Sequence, residues 1–146
     1  MPQNKYSDDV RQHLSFIQGV ITRMNSNSFS MKGWMVAIVS ALCAVYAANA
    51  QADAAYIYFI AAIIADILFF FLDAYYLKME KEYRNLFYRV LKRTEDTDFK
   101  MRIDKKNEED KELRVCIWKA IKSPSVWILY TVVAVLLGIS LYLVLR

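Results

Sequence analysis

Residues that break helices are scarce in this chain, with 3 glycines and 2 prolines among 146 residues. That scarcity excludes the turn-rich all-β architectures and points to long helices. Histidine occurs once, as His13, and cysteine twice, as Cys43 and Cys116. One cysteine lies inside an apolar run and the other in a charged segment, so neither a disulfide framework nor a metal site follows. A lone histidine flanking an apolar face reads as structural rather than as a ligand. The chain also lacks a glycine-rich phosphate loop, a nucleophile–histidine pair with an orienting acid, and metal-ligand spacing. Intramembrane aspartyl proteolysis needs acids on two different spans. The two acids here, Asp66 and Asp73, share one. These absences predict a protein that is not an enzyme and carries no cofactor or metal.

What the chain has in excess is apolar length: 57% of its residues are hydrophobic. Three runs stand out, Lys32 to Ala50, Ala54 to Leu77 and Val126 to Leu145. Each approaches or exceeds the roughly 20 residues that carry a helix across about 30 Å of hydrocarbon. The predicted fold class is all-α, an integral membrane protein with three transmembrane helices. An N-terminal amphipathic helix precedes the first span, and a cytosolic helical hairpin separates the second from the third.

Basic residues are missing from the short connection "AQADA" between spans one and two, and this absence sets the orientation. Of the 19 lysines and arginines, 4 precede span one, 14 fall between spans two and three, and Arg146 alone lies beyond span three. The positive-inside rule then places the N-terminus in the cytoplasm and the C-terminus outside. The net charge of +4 is spread among acids and lacks aromatic–basic stacking motifs, so it fits a membrane surface and not nucleic acid. The stretch "KGWMVAIVSALCAVYAANAQADA" imitates a signal peptide, but 31 residues ahead of it make an unusually long leader, and an uncleaved first span is expected.

Along the chain, residues 1–31 are predicted to form an amphipathic helix and a polar loop. Val10, Leu14, Ile17, Ile21 and Met24 share one face. This helix lies on the inner leaflet, packs with its copies, or packs on the chain's own cytosolic helices. The stretch "NSNSFSMKGW" reads as a break, with Lys32 and Trp34 as interface anchors. Residues 32–77 form a transmembrane hairpin. Residues 78–124 form the cytosolic hairpin, in which span two continues to about Arg93. Thr94 offers a new N-cap there, and a second amphipathic helix carries Leu113, Ile117, Trp118 and Ile121. Residues 125–146 make the third transmembrane helix. Small residues at four-residue spacing (Ala37 and Ala41, Ala44 and Ala48, Ala134 and Gly138) suit close helix approach.

Two sets of residues could carry function. Asp66 and Asp73 are seven apart, so they share a helix face that Glu80 extends. An acid near mid-bilayer costs at least about 2.5 kcal/mol and should face a bundle interior, a partner or water. Asp66 lines a gate or seam, or is a neutral acid that glues helices. Asp73 organises the cytosolic rim near Asn25 and Lys32, or snorkels to the headgroups. Around that rim, Arg23, Lys32 and Arg84 have the chemistry to hold phosphates, and Asn25, Asn27, Tyr75 and Tyr76 to read or stack on a base. The same residues also make an ordinary interfacial belt.

The stretches "FIQGVITRMNSNSFSMKGW" and "FFFLDAYYLKMEKEYRNLFYRV", joined across a short exterior turn, resemble small multi-span membrane effectors of bacterial anti-phage loci of the Thoeris-like or CBASS-like kind. The resemblance covers roughly residues 11 to 92. It implies a homo-oligomeric effector that disrupts or depolarises the inner membrane when a TIR-domain or cyclase partner makes a nucleotide second messenger. The alternatives are a holin-like or toxin-type pore former without a ligand, and a membrane-anchoring accessory subunit of a cytosolic enzyme.

Overall fold

The computed structural model describes residues 7–52, 54–92, 97–104 and 108–146. Helix α1 begins at a serine cap. Ser7 adopts an extended conformation and its hydroxyl accepts the Val10 backbone N–H at 3.3 Å. Asp8 and Asp9 in the first turn complement the positive end of the helix dipole. From there α1 runs without interruption from Asp8 to Ala48. Asn49 closes it, donating its backbone N–H to the Tyr46 carbonyl and its side-chain amide to the Val45 carbonyl.

The loop expected at residues 25–31 is helical instead. Serine and asparagine lower helix propensity by only about 0.5 kcal/mol each, which packing readily overrides. The local hydrogen bonds also favour the helix. The Ser30 hydroxyl donates back to the Ser26 carbonyl at 2.9 Å, and Ser28 turns inward to a partner on α2.

After a tight turn, α2 spans Ile57–Leu91 and returns antiparallel along α1. At 1.5 Å per residue the two helices are about 62 and 52 Å long, so each outruns a hydrocarbon layer by about 20 Å or more. The remaining elements are a 3-10 helix at Glu108–Leu113, a short α3 at Ile117–Ile121, and α4 at Pro124–Leu145. Pro124 stands in the first turn of α4, where its missing N–H costs nothing.

Three helices, α1, α2 and α4, are long and apolar enough to cross a membrane. The three most apolar stretches are 6%, 28% and 11% buried in chain order, which makes α2 the central helix and turns most apolar side chains outward. Ile64, Leu68, Phe71, Val132, Leu136 and Leu143 are all about half exposed or more. An apolar surface of this extent needs a lipid or protein cover. Helix α4 leans on α2, while its backbone stays apart from that of α1.

At the charged end, Val10, Ile17 and Ile21 of α1 pack with Leu86 and Val90 of α2 and with Leu113. Val10, Ile17 and Ile21 are thus directed at the chain's own second helix. The second amphipathic helix expected around Leu113–Ile121 is reduced to the 3-10 turn and the five residues of α3, and Trp118 is 65% exposed. Side-chain-to-backbone bonds replace helix here. Asn85 donates to the Leu113 carbonyl at 3.1 Å, and Glu82 accepts the Val115 N–H at 3.0 Å. The cap expected at Thr94 lies outside the described residues.

Asp110 anchors this return segment. Its buried carboxylate accepts the Asp104 N–H at 2.8 Å and pairs with Arg89 at 2.9 Å and Lys100 at 3.0 Å. Burial raises the carboxyl's pKa, but the Asp104 N–H and the two cations outweigh it and bring it down to about 2. His13 is fully buried, shares a hydrogen bond with the Thr97 hydroxyl, and packs against Phe99 with ring centroids 5.5 Å apart. Phe99 holds the left-handed conformation with φ 48°, unusual for a bulky residue, at this packed bend.

Candidate functional site

Heptad spacing places Phe59, Ala62, Asp66, Asp73, Leu77 and Glu80 on the buried face of α2, so the acids point at the other helices and not at lipid. Asp73 is completely buried. One of its oxygens accepts a hydrogen bond from the Ser28 hydroxyl, and the other pairs with Lys32 Nζ at 2.5 Å. Lys32 Nζ also donates to Ser28 Oγ at 3.2 Å, which closes a three-membered knot between α1 and α2. The lysine is pre-positioned because Ser28 and Lys32 are four residues apart on one helix face. Its side chain keeps 19% exposure, so the knot is buried from the α2 side and reachable from the α1 side.

About 10 Å deeper along α2, two turns away, Asp66 is 3% exposed. Among the described residues its Oδ1 has no hydrogen-bond partner. It sits between two apolar clusters that share Val39 and Val133. Tyr130 of α4 is buried nearby, within electrostatic reach of both Asp73 and Asp66. Its hydroxyl approaches the Asp73 carboxylate without completing a hydrogen bond among the described residues. One carboxylate oxygen of Asp66 is therefore buried without a partner among the described residues, beneath a knot that the Tyr130 hydroxyl approaches from α4. Such groups are uncommon and costly in a folded protein.

Glu80 continues the acidic face and pairs with Arg84 at 2.7 Å. Arg84 and Lys32 are thus engaged by acids of α2. The other residues proposed to bind a ligand are dispersed. Arg23 and Asn25 are exposed and Asn27 is half-buried. Tyr75 and Tyr76 form an edge-to-face pair with centroids 5.7 Å apart. Arg23, Arg84 and Tyr75 line three different clefts, so the seven residues do not make one pocket. Their sequence proximity to the membrane edge misled because residues 23, 27 and 32 project from α1 at different angles. Gly138 is exposed, with open space where a Cβ would stand, and Ala134 is half-buried. Neither marks a close helix approach within the chain.

Ser28 and Tyr130 were missed as site residues. Ser28 could have been found from its four-residue offset from Lys32. Tyr130 could have been found as the hydroxyl in span three at the depth of the acids. A cleft of about 260 Å³ between α1 and α4 is lined by Met35, Val39, Cys43, Val133 and Leu137 among others.

Compared with known proteins, the chain matches no family model, no curated protein and no solved structure.

Proposed function

We propose that the chain is a homo-oligomeric membrane effector whose α1–α2 seam is a gate, and that opening the gate disrupts or depolarises a bacterial inner membrane. The Ser28–Lys32–Asp73 knot carries this reading. It clamps the two long helices at the edge of the apolar band, beside Tyr130 and two turns above Asp66, whose Oδ1 has no partner among the described residues. Loosening the knot gives water a route to the Asp66 carboxyl. A seam held by a buried ion pair suits two discrete arrangements, because losing either partner is costly while exchanging partners is not.

In this reading the charged end lies in the cytoplasm, as the distribution of basic residues favours. A nucleotide messenger made by a TIR or cyclase partner acts there by binding the open arrangement more tightly than the closed one. The antiviral setting rests on the sequence resemblance alone. Oligomerisation is favoured by the outward-facing apolar surface, the groove between α1 and α4, and the exposed small residues Ala37, Ala41, Ala44 and Ala48.

The experiment is expression in bacteria with and without the neighbouring signal-producing gene, following membrane potential by dye and growth by density. Loss of potential only when both genes are present, and the messenger-making reaction is active, is the expected result. Unchanged potential under full induction of both overturns the proposal.

A further inference from the structure

The face of α2 opposite the knot lines a cleft that the gate does not use. Tyr75, Lys78, Met79, Glu82 and Tyr83 fall at helical spacing on α2 and form one wall. The returning segment Met101, Arg102 and Ile103 forms the other, and the space between them is about 410 Å³. That is within the range of small-molecule sites. The cleft begins where α2 leaves its apolar run, so it sits at the boundary between the apolar band and the charged end.

Its charges are unevenly committed. Glu82 is nearly buried and engaged, accepting the Val115 N–H at 3.0 Å and facing Lys78 at 3.4 Å. Lys78 is held only loosely at that distance and has donor capacity left over. Arg102 is exposed, and among the described residues it makes no hydrogen bond or ion pair. One free guanidinium and one loosely held ammonium therefore face a single space, against a carboxylate whose charge is already answered. Two tyrosine rings and two methionines supply an apolar, polarisable lining beside them.

We propose that this cleft binds a phosphate-bearing amphiphile. Arg102 and Lys78 take the phosphoryl group, and Tyr75, Tyr83, Met79 and Met101 take the less polar part. Arginine offers a planar fork that matches phosphate oxygens, and the lysine adds a point charge. The phosphate could come from an anionic lipid headgroup at the membrane surface or from a free nucleotide, and the chemistry of recognition is the same for both. The site stands on its own geometry and does not depend on the gate.

The test uses the full chain in nanodiscs. Wild type, Arg102→Glu and Lys78→Gln are placed in pure phosphatidylcholine and titrated with ADP. In parallel, each is placed in discs containing phosphatidylglycerol, and lipid retained by the protein is measured by native mass spectrometry. Lys111→Ala, an exposed lysine outside the cleft, controls for bulk charge. Arg102 is exposed and has no partner among the described residues, so Arg102→Glu is expected to leave the fold intact, which circular dichroism of the variant checks. Saturable ADP binding weakened about tenfold or more in Arg102→Glu, but not in Lys111→Ala, identifies a soluble phosphate ligand. Phosphatidylglycerol retention lost in the same pattern identifies a lipid headgroup. If neither probe separates wild type from Arg102→Glu, the proposal is overturned.

Discussion

Replacing Lys32 by methionine removes the cation that pairs with a completely buried carboxylate, the only one to do so among the described residues. The side chain keeps its length and much of its apolar contact, so the loss is electrostatic and hydrogen-bonding in nature. Asp73 would keep the bond from the Ser28 hydroxyl and the nearby Tyr130 hydroxyl, but would lose its ammonium partner. Breaking a buried ion pair from one side costs about 3–5 kcal/mol. The residual 19% exposure of Lys32 marks a path for water, which places this case near the low end, about 3 kcal/mol. For a chain of this length that is a fall of about 6–12 °C in melting temperature. Asp73→Asn should be milder, because the amide still accepts from Ser28 and the freed lysine can extend to water. Its cost is about 1–2 kcal/mol.

The double variant Lys32→Met with Asp73→Asn leaves no isolated charge and should unfold at a higher temperature than Lys32→Met alone. Thermal unfolding of the purified proteins in one mild detergent, read by circular dichroism, gives the four temperatures of the cycle. Non-additivity of about 1 kcal/mol or more is the signature of the knot. Additive effects, or a Lys32→Met protein as stable as wild type, would show that the pair does not clamp the helices.

Four further outcomes follow from the same geometry. Asp66→Asn keeps shape and hydrogen-bonding capacity while removing the ionisable proton, and Asp66→Leu removes both. If the proton matters to the open state, both variants should insert and assemble yet lose toxicity, and normal depolarisation by both would remove Asp66 from the gate. Gly138→Leu meets open space within the chain, so it should leave the fold intact and weaken self-association in detergent or nanodiscs, as should Ala134→Leu; a wild type that is monomeric throughout refutes the oligomer. A phosphatase fused at the C-terminus should be active and one at residue 100 inactive, and the reverse pattern inverts the topology. Asp110 has its pKa lowered to about 2 in the folded protein, below the usual 3.8, so it stabilises the charged end above pH 4 and that contribution disappears as pH falls toward 2. Hydrogen exchange of residues 97–104 and 108–113 should accelerate over that acid window and, at neutral pH, in Asp110→Asn; unchanged protection would show that the carboxylate does not hold these stretches.

The apolar runs and the seven-residue spacing of Asp66 and Asp73 were legible because both depend only on helical period and length. The partner of Asp73 was half legible, since Lys32 was placed near it at the membrane edge. Ser28 was hidden by the assumption that Asn25 to Ser30 break the helix. Their weak propensity is local, whereas the bond from Ser28 to Asp73 joins residues 45 apart in sequence. The dispersal of Arg23, Arg84 and Tyr75 into separate clefts was not legible either, because it depends on the angle each residue takes around helices that outlast the membrane. The return segment misled for another reason. Its charges are used by Asp110, Arg89 and Lys100 to hold irregular backbone, which a periodic pattern cannot encode.

The unbroken length of α1 has a mechanical consequence. From Asp8 to Lys32 the helix is a stiff rod about 36 Å long, with its charged tip packed in the apolar cluster of Val10, Val90 and Leu113. A flexible joint at residues 25–31 would have absorbed any displacement of that tip. A continuous rod transmits it, and a tilt of about 5° about one end moves the other by about 3 Å. That stroke exceeds the reach of the Lys32–Asp73 bond. Events at the far charged tip can therefore act on the buried pair by leverage, with no ligand touching the pair itself.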